Sequence, residues 1–168
     1  VGARAQGASA IAKAAAINSV SDVTKVKAIV GETRTDNQSH ANRAATGGLP
    51  PQAFGNTGSI QGTTLDANNY MEINGVKIAG FSFEDHDSSG ELTRQINAHH
   101  DETGVIAEVN SAGELVLVAK DGRDISISYV DAVDPLGSNL EAEIGLLSGL
   151  GGAFAYGGEI TLQSNETF

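Results

Sequence analysis

The chain contains no cysteine and no tryptophan, and only three prolines, three tyrosines and five phenylalanines. Without cysteine there is no disulfide framework, no thiolate zinc site and no thiol nucleophile. With aromatics at 5%, a core must be built from Ala, Val, Ile and Leu. No apolar run approaches the roughly 18 residues of a membrane helix, and no signal peptide is visible. Positive charge is scarce as well: 10 Lys and Arg stand against 21 Asp and Glu, a net charge of -11. An acidic surface repels phosphate backbones and anionic membranes, so neither nucleic acid nor membrane is an expected partner. The same self-repulsion predicts that this chain on its own is monomeric.

What remains is a chain of 168 residues, 40% of them hydrophobic, with 21 glycines. That suits one domain or two small ones sharing a boundary. It starts on Val1 and stops on Phe168 straight after a strand-like run. The expectation is a fragment of a longer protein.

A pattern occurs twice, 79 residues apart. Ile17 and Asn18 fall on Ile96 and Asn97, Asp22 on Asp101, Thr24 on Thr103, Val26 on Val105, Ala28 on Ala107 and Val30 on Val109, without a gap. Each copy begins as a helix. In the second, Ser88 and Glu91 have capping-box spacing, and Leu92 and Ile96 share a face. In the first, Ser9 is the candidate cap, and Ala10, Ala14 and Ile17 form a narrow apolar stripe. The period then changes to two, which predicts a half-buried strand after each helix.

The second copy continues with a turn at 110–113, a strand at 115–118, a turn at Asp121-Gly122 and a strand at 125–128. Upstream, Asn74-Gly75 predicts a tight hairpin, because both residues tolerate positive φ. Residues 70–130 thus predict a β-β-α-β-β-β unit with one helix on one antiparallel sheet. The first copy breaks off at Gly31, before a polar run rich in Gly, Asn and Thr that offers no strand to pair with Val26–Val30. An unpaired strand leaves backbone groups unsatisfied. The missing half reappears downstream, where Gly158, Glu159 and Leu162 repeat Gly113, Glu114 and Leu117. The first copy is therefore expected to be split, with the second inserted in it. The predicted fold is α+β: two small modules, each a helix packed on an antiparallel sheet. Residues 1–60 with 131–168 would form one module and 61–130 the other. A short helical turn is expected around 140–147, and the glycine-rich run at 148–158 is expected to be irregular.

The acidic and histidine clusters at Glu84–Asp87 and His99–Glu102 lack the His-Glu-x-x-His spacing of zinc peptidases. They read as solvated turn residues. No Gly-x-Ser-x-Gly or phosphate-loop pattern occurs. No catalytic, cofactor-binding or metal-ligating residue is expected, and the chain does not read as an enzyme.

The ending Ile-Asn of a helix, then Thr-Gly-Val, alternating residues and a Gly-Glu-aliphatic-x-Leu strand, resembles the flagellin hook IN motif. Its motif positions here are Ile17, Asn18, Ile96, Asn97, Thr103, Gly104 and Val105. The opening Arg4–Asn18 looks like the junction where a flagellin leaves its filament core, of the Campylobacter and Helicobacter type, and Leu162–Phe168 looks like the return junction. The resemblance covers about half of the chain. Lys25 departs from it, since the family usually has Gly there. The resemblance implies a structural protein: the exposed outer domains of an extracellular flagellar filament subunit, with neighbouring flagellin subunits as partners and no cofactor. It also implies O-glycosylation on exposed Ser or Thr, with Thr46, Thr57, Ser59, Thr63 and Thr64 in the region expected to be exposed. A binding module of a filament cap, hook-associated protein or adhesin is the alternative.

Overall fold

The structure, a computed structural model, describes residues 9–36, 58–131, 139–146 and 154–164. The first repeat opens with helix α1 (Ala10–Asn18), whose first turn is capped by Ser9: its hydroxyl accepts the Ala12 amide at 3.2 Å. This is the role expected of Ser9. A second, four-residue turn of helix, α2 (Ser21–Thr24), leads into strand β1 (Val26–Val30), followed by β2 (Thr33–Arg34). The alanines at 10 and 14 are the buried positions of α1, so helix and strand approach closely there.

The central part carries β3 (Thr63–Leu65), β4 (Asn69–Ile73), β5 (Val76–Ile78) and β6 (Phe81–Phe83). A 3-10 turn at Asp85–Asp87 precedes helix α3 (Glu91–Ala98) and the short α4 (His100–Thr103). Strands β7 (Ile106–Val109), β8 (Leu115–Ala119) and β9 (Ile125–Asp131) follow, then helix α5 (Asn139–Ile144), β10 (Phe154–Tyr156) and β11 (Ile160–Ser164). The β4–β5 turn is formed by Asn74 at φ 52° and Gly75 at φ 82°, with Ile73 facing Val76. Two consecutive positive φ values are what the Asn-Gly pair predicts.

The sheets are all antiparallel, and helices and sheets are mixed as an α+β fold requires. Strand β1 pairs with β11 along its whole length, from Val26 opposite Ser164 to Val30 opposite Ile160. The first repeat is thus closed by a strand that follows it by about 130 residues, the pairing expected from Gly158, Glu159 and Leu162.

The strands expected to share one sheet over 70–130 are instead divided among three, β6 pairing with β3 in a small sheet of two. Strands β10, β9, β4 and β5 form one, in that order, and β2, β8 and β7 form another. Between them lies one core containing Met71, Ile73, Ile78, Leu92, Ile96, Val105, Leu115, Leu117, Ile125 and Ile127. Splitting the strands into two layers buries aliphatic side chains from facing sheets, which one helix on one sheet would not achieve in a chain this poor in aromatics.

Pairing also crosses the sequence boundaries drawn at 60 and 131. Thr33 and Arg34 bond to Ala119 and Val118, and Phe154–Tyr156 line up on Ile127–Ile125. Ile60, Leu140, Ile144, Leu146 and Tyr156 are buried in the central core. The run at 148–158, expected to be irregular, holds strand β10, because β9 offers it an open edge. The two repeats meet at glycine. A Cβ on Gly122, whose φ is +75°, would run into Val30 and the Gly31 carbonyl, so only Gly lets the chains approach so closely there.

Ile96 is fully buried in this core. Ile96→Ala is expected to cost about 2–5 kcal/mol in denaturant unfolding. A loss under about 1 kcal/mol, the range of surface substitutions, would place the side chain outside the core.

Candidate functional site

The repeated helix-to-strand junction is built by one asparagine in each copy. Asn18 ends α1. Its Nδ2 donates to the Ala28 carbonyl at 2.9 Å, and its Oδ1 accepts the Ala28 amide at 2.7 Å. Asn97 does the same with Ala107, at 3.0 Å and 2.7 Å. In both cases the partner is ten residues on. A side-chain amide has a donor and an acceptor side by side, so it copies the pair of bonds that a neighbouring strand would make. Aspartate has no donor to offer when ionised, and glutamine is one methylene longer.

The rest of the junction repeats bond for bond. The Thr24 hydroxyl donates to the Val20 carbonyl and accepts the Val26 amide, at 3.1 and 3.3 Å. The Thr103 hydroxyl does so with His99 and Val105, at 3.0 and 3.1 Å. The amide of Lys25 closes on the Ser21 carbonyl at 2.8 Å, and that of Gly104 on His100 at 2.7 Å. Both positions are left-handed, with φ 57° at Lys25 and 70° at Gly104. Lys25 therefore adopts a left-handed conformation that its side chain resists, and its Nζ donates to the Asp22 carbonyl at 2.7 Å. In the second copy a Cβ at Gly104 would meet the Arg123 guanidinium.

The next strand repeats too. Val30 faces Ile160 as Val109 faces Leu115, and the Gly31 amide donates to Glu159 as the Asn110 amide donates to Glu114. The structure thus brings Ile17 and Asn18 together with Val26–Val30, and Ile96, Asn97, Thr103, Gly104 and Val105 into an equivalent arrangement. Ile96, Thr103 and Val105 are fully buried, whereas Ile17 is only half-buried.

Other expected features are placed differently. The Ser88–Glu91 capping box does not form. The Ser88 hydroxyl bonds to Glu84 at 2.8 Å, and Asp87 caps α3 instead. The Asp87 carboxylate accepts the amides of Leu92 and Thr93 and the Thr93 hydroxyl, at 2.8, 3.0 and 2.8 Å. Gly90 at φ +69° turns the chain so that a residue several positions earlier reaches the helix start. Asp87 is thus a buried structural carboxylate rather than a solvated turn residue, while Glu84, Asp85 and His86 are exposed. A helix cap with an unusual spacing carries no sequence signal, because it depends on two consecutive positive φ values at His86 and Asp87.

Arg34 joins the segment after the first repeat to the second. Its guanidinium bonds to Glu108 at 2.6 Å and to Asp36 at 2.9 Å, which holds its proton even more firmly than usual. Near the second junction, the hydrogen bond from the Arg123 guanidinium holds the Asp121 carboxyl below the usual aspartate pKa. That interaction is present above the ordinary aspartate range and is lost as pH falls through the depressed value.

Among the described residues no group of three or more His, Asp or Glu converges to hold a metal ion, and no helix is long and apolar enough to cross a membrane. A shallow depression is lined by Gly62, Thr63, Thr64, Ser82, Phe83, Glu84, Asp85 and Ser88. Its polar groups are already engaged in part: Thr64 and Ser82 share a hydrogen bond of 2.8 Å, and Asp85 accepts the Gly62 amide at 2.7 Å. Of the expected modification region, Thr64 is exposed, Ser59 and Thr63 are half-buried, and Thr46 and Thr57 lie outside the described residues. Residues 4–8 and 165–168 of the two expected junctions also lie outside them.

No protein-family model matches the chain.

Two substitutions probe the junction. Asn97→Ala leaves the amide and carbonyl of Ala107 without their partner, at a cost of about 1–3 kcal/mol. Amide exchange at Ala107 is expected to accelerate; unchanged exchange and stability would deny Asn97 this role. Lys25→Gly relieves a left-handed side chain and should stabilise the first repeat by about 1 kcal/mol. A lowered thermal midpoint would show that the Lys25–Asp22 contact outweighs the strain.

Proposed function

We propose that this chain is structural: the surface-exposed outer domains of a bacterial flagellar filament subunit, working outside the cell with neighbouring flagellin subunits as partners. The observation that carries this reading is the repeated junction, in which Asn18 and Asn97 make the same two bonds 79 residues apart. Those residues belong to the pattern that resembles the flagellin IN motif, and their geometry gives the pattern a purpose. It closes a small α+β unit without any ligand.

Two further features support the reading. Strands β1 and β11 lie side by side, so residues 9–30 and 160–164 form one unit from which the central core is hung. That arrangement suits a domain carried on a larger subunit. The outward positions of the first repeat are also more apolar than those of the second. Val20, Val23 and Ile29 are exposed, Val23 to 86%, where the second repeat has His99, Glu102 and Glu108. Apolar outward positions suit the side nearer to other subunits, and charged ones suit the side facing water.

Immunogold labelling of cells with antibodies raised against the 168-residue chain tests this. Label along the whole length of flagellar filaments is the expected outcome. Label confined to the filament tip or the hook would identify a cap or hook-associated protein, and label on the cell body alone would identify an adhesin. Either result would remove the filament-subunit reading.

A further inference from the structure

The two repeats differ in what covers their inner face. In the second, Leu92, Ile96, Val105, Ala107, Leu115 and Leu117 are buried against the sheet of β4, β5 and β9. The first repeat keeps apolar residues at five of the six equivalent places: Ile17, Val26, Ala28, Ile160 and Leu162, with Lys13 in place of Leu92. Yet among the described residues no hairpin or sheet lies over them. Ile17, Val26 and Ile160 are only half-buried, and Leu162 is 59% exposed where Leu117 is wholly buried. Register ties the two leucines together: Leu162 lies opposite Ala28 as Leu117 lies opposite Ala107. Residues directly opposite share a face. The uncovered strip is therefore continuous with the α1–β1 interface, where Ala10, Ala14 and Ala28 are buried.

The two repeats also differ in what meets one backbone carbonyl. In the second repeat, Asn74 at the β4–β5 turn donates from Nδ2 to the Thr103 carbonyl at 2.8 Å. The same turn holds β9, through the bonds of Asn74 to Ser126 at 2.8 and 2.9 Å. Thr24, the equivalent of Thr103, has no such side-chain donor among the described residues, although its hydroxyl makes the same bonds. The second repeat is thus a template for what the first is missing.

We infer that the inner face of the first repeat is a docking site for an antiparallel β-hairpin from elsewhere in the parent subunit. The hairpin has an aliphatic inner face that covers Ile17, Ile160 and Leu162. Its turn presents an asparagine or equivalent side-chain donor to the Thr24 carbonyl. This rests on the reading of the chain as the outer part of a larger subunit, and it goes beyond that reading by naming the surface and the element that fills it.

The absence of native cysteine makes the test direct. Leu162→Cys is compared in the 168-residue chain and in the whole, unassembled parent polypeptide, with Ser111→Cys, on an exposed turn, as the labelled control. In the whole polypeptide, thiol labelling at 162 is expected to slow by about tenfold or more relative to the short chain, as for a site that must open locally to react. A photo-crosslinking side chain at the same position should capture a segment of alternating aliphatic residues around a tight turn of the same polypeptide. Equal labelling in the two proteins would overturn the inference. So would protection that arises only on assembly, which would assign the face to a neighbouring copy, or a crosslink to a helical segment. Faster unfolding of the variant is separated from true exposure by amide exchange at Leu162 in the unsubstituted proteins, which should follow the same order. The comparison uses unassembled polypeptide, so its failure is distinct from a failure of the immunogold result.

Discussion

One side-chain amide, used twice, holds this fold together. In each repeat an asparagine at the end of a helix occupies the amide and carbonyl of the strand residue ten positions on. The helix direction, the left-handed turn after it and the register of the following strand all depend on that pair of bonds. The strand edge facing the helix is also closed by it. An edge strand with free amides and carbonyls is a template for unwanted pairing, and the asparagine removes the central pair without adding a strand. A net interaction of this kind is worth only about 1 kcal/mol. Its importance is geometric, since leaving the two groups buried and unpaired would cost more than the bonds return.

The split of the first repeat follows from the same economy of parts. A helix, a strand and one partner strand satisfy the central backbone groups of the strand once the asparagine stands in for the second neighbour. The partner therefore does not have to follow directly, and here it comes from the far end of the chain. Everything between the two strands builds a larger core of its own. That core draws in β2 and β10 from flanking segments, because β8 and β9 would otherwise keep open edges. The two units touch through Gly122, whose missing side chain lets Val30 and Gly31 come close.

Much of this was legible in the residues. The gapless offset of 79 located both asparagines, and the Gly-Glu-x-x-Leu echo located β11 as the partner of β1. Asn74-Gly75 announced its turn through local chemistry alone. What stayed hidden was non-local. The division of the central strands among separate sheets depends on packing between layers, which periodicity along one strand does not encode. Strand β2 is only two residues long, too short for any alternation to register. Asp87 was read as a solvent-facing charge because its capping role requires His86 and Asp87 themselves to turn left-handed. The exposure of Leu162 was equally invisible, since its sequence context matches that of a buried leucine.

The pairing of β1 with β11 also sets an order of events. Most strands of the central core pair with strands nearer in sequence, whereas β1 waits for a strand about 130 residues away. Closing so long a loop carries an entropy that grows only logarithmically with length, so stability suffers little. The rate is a different matter, because non-local pairings form late. A chain made from its N-terminus has α1 and β1 in place early, but the first repeat cannot close until β11 is free. The first repeat therefore reports that the whole stretch between its two strands has been released.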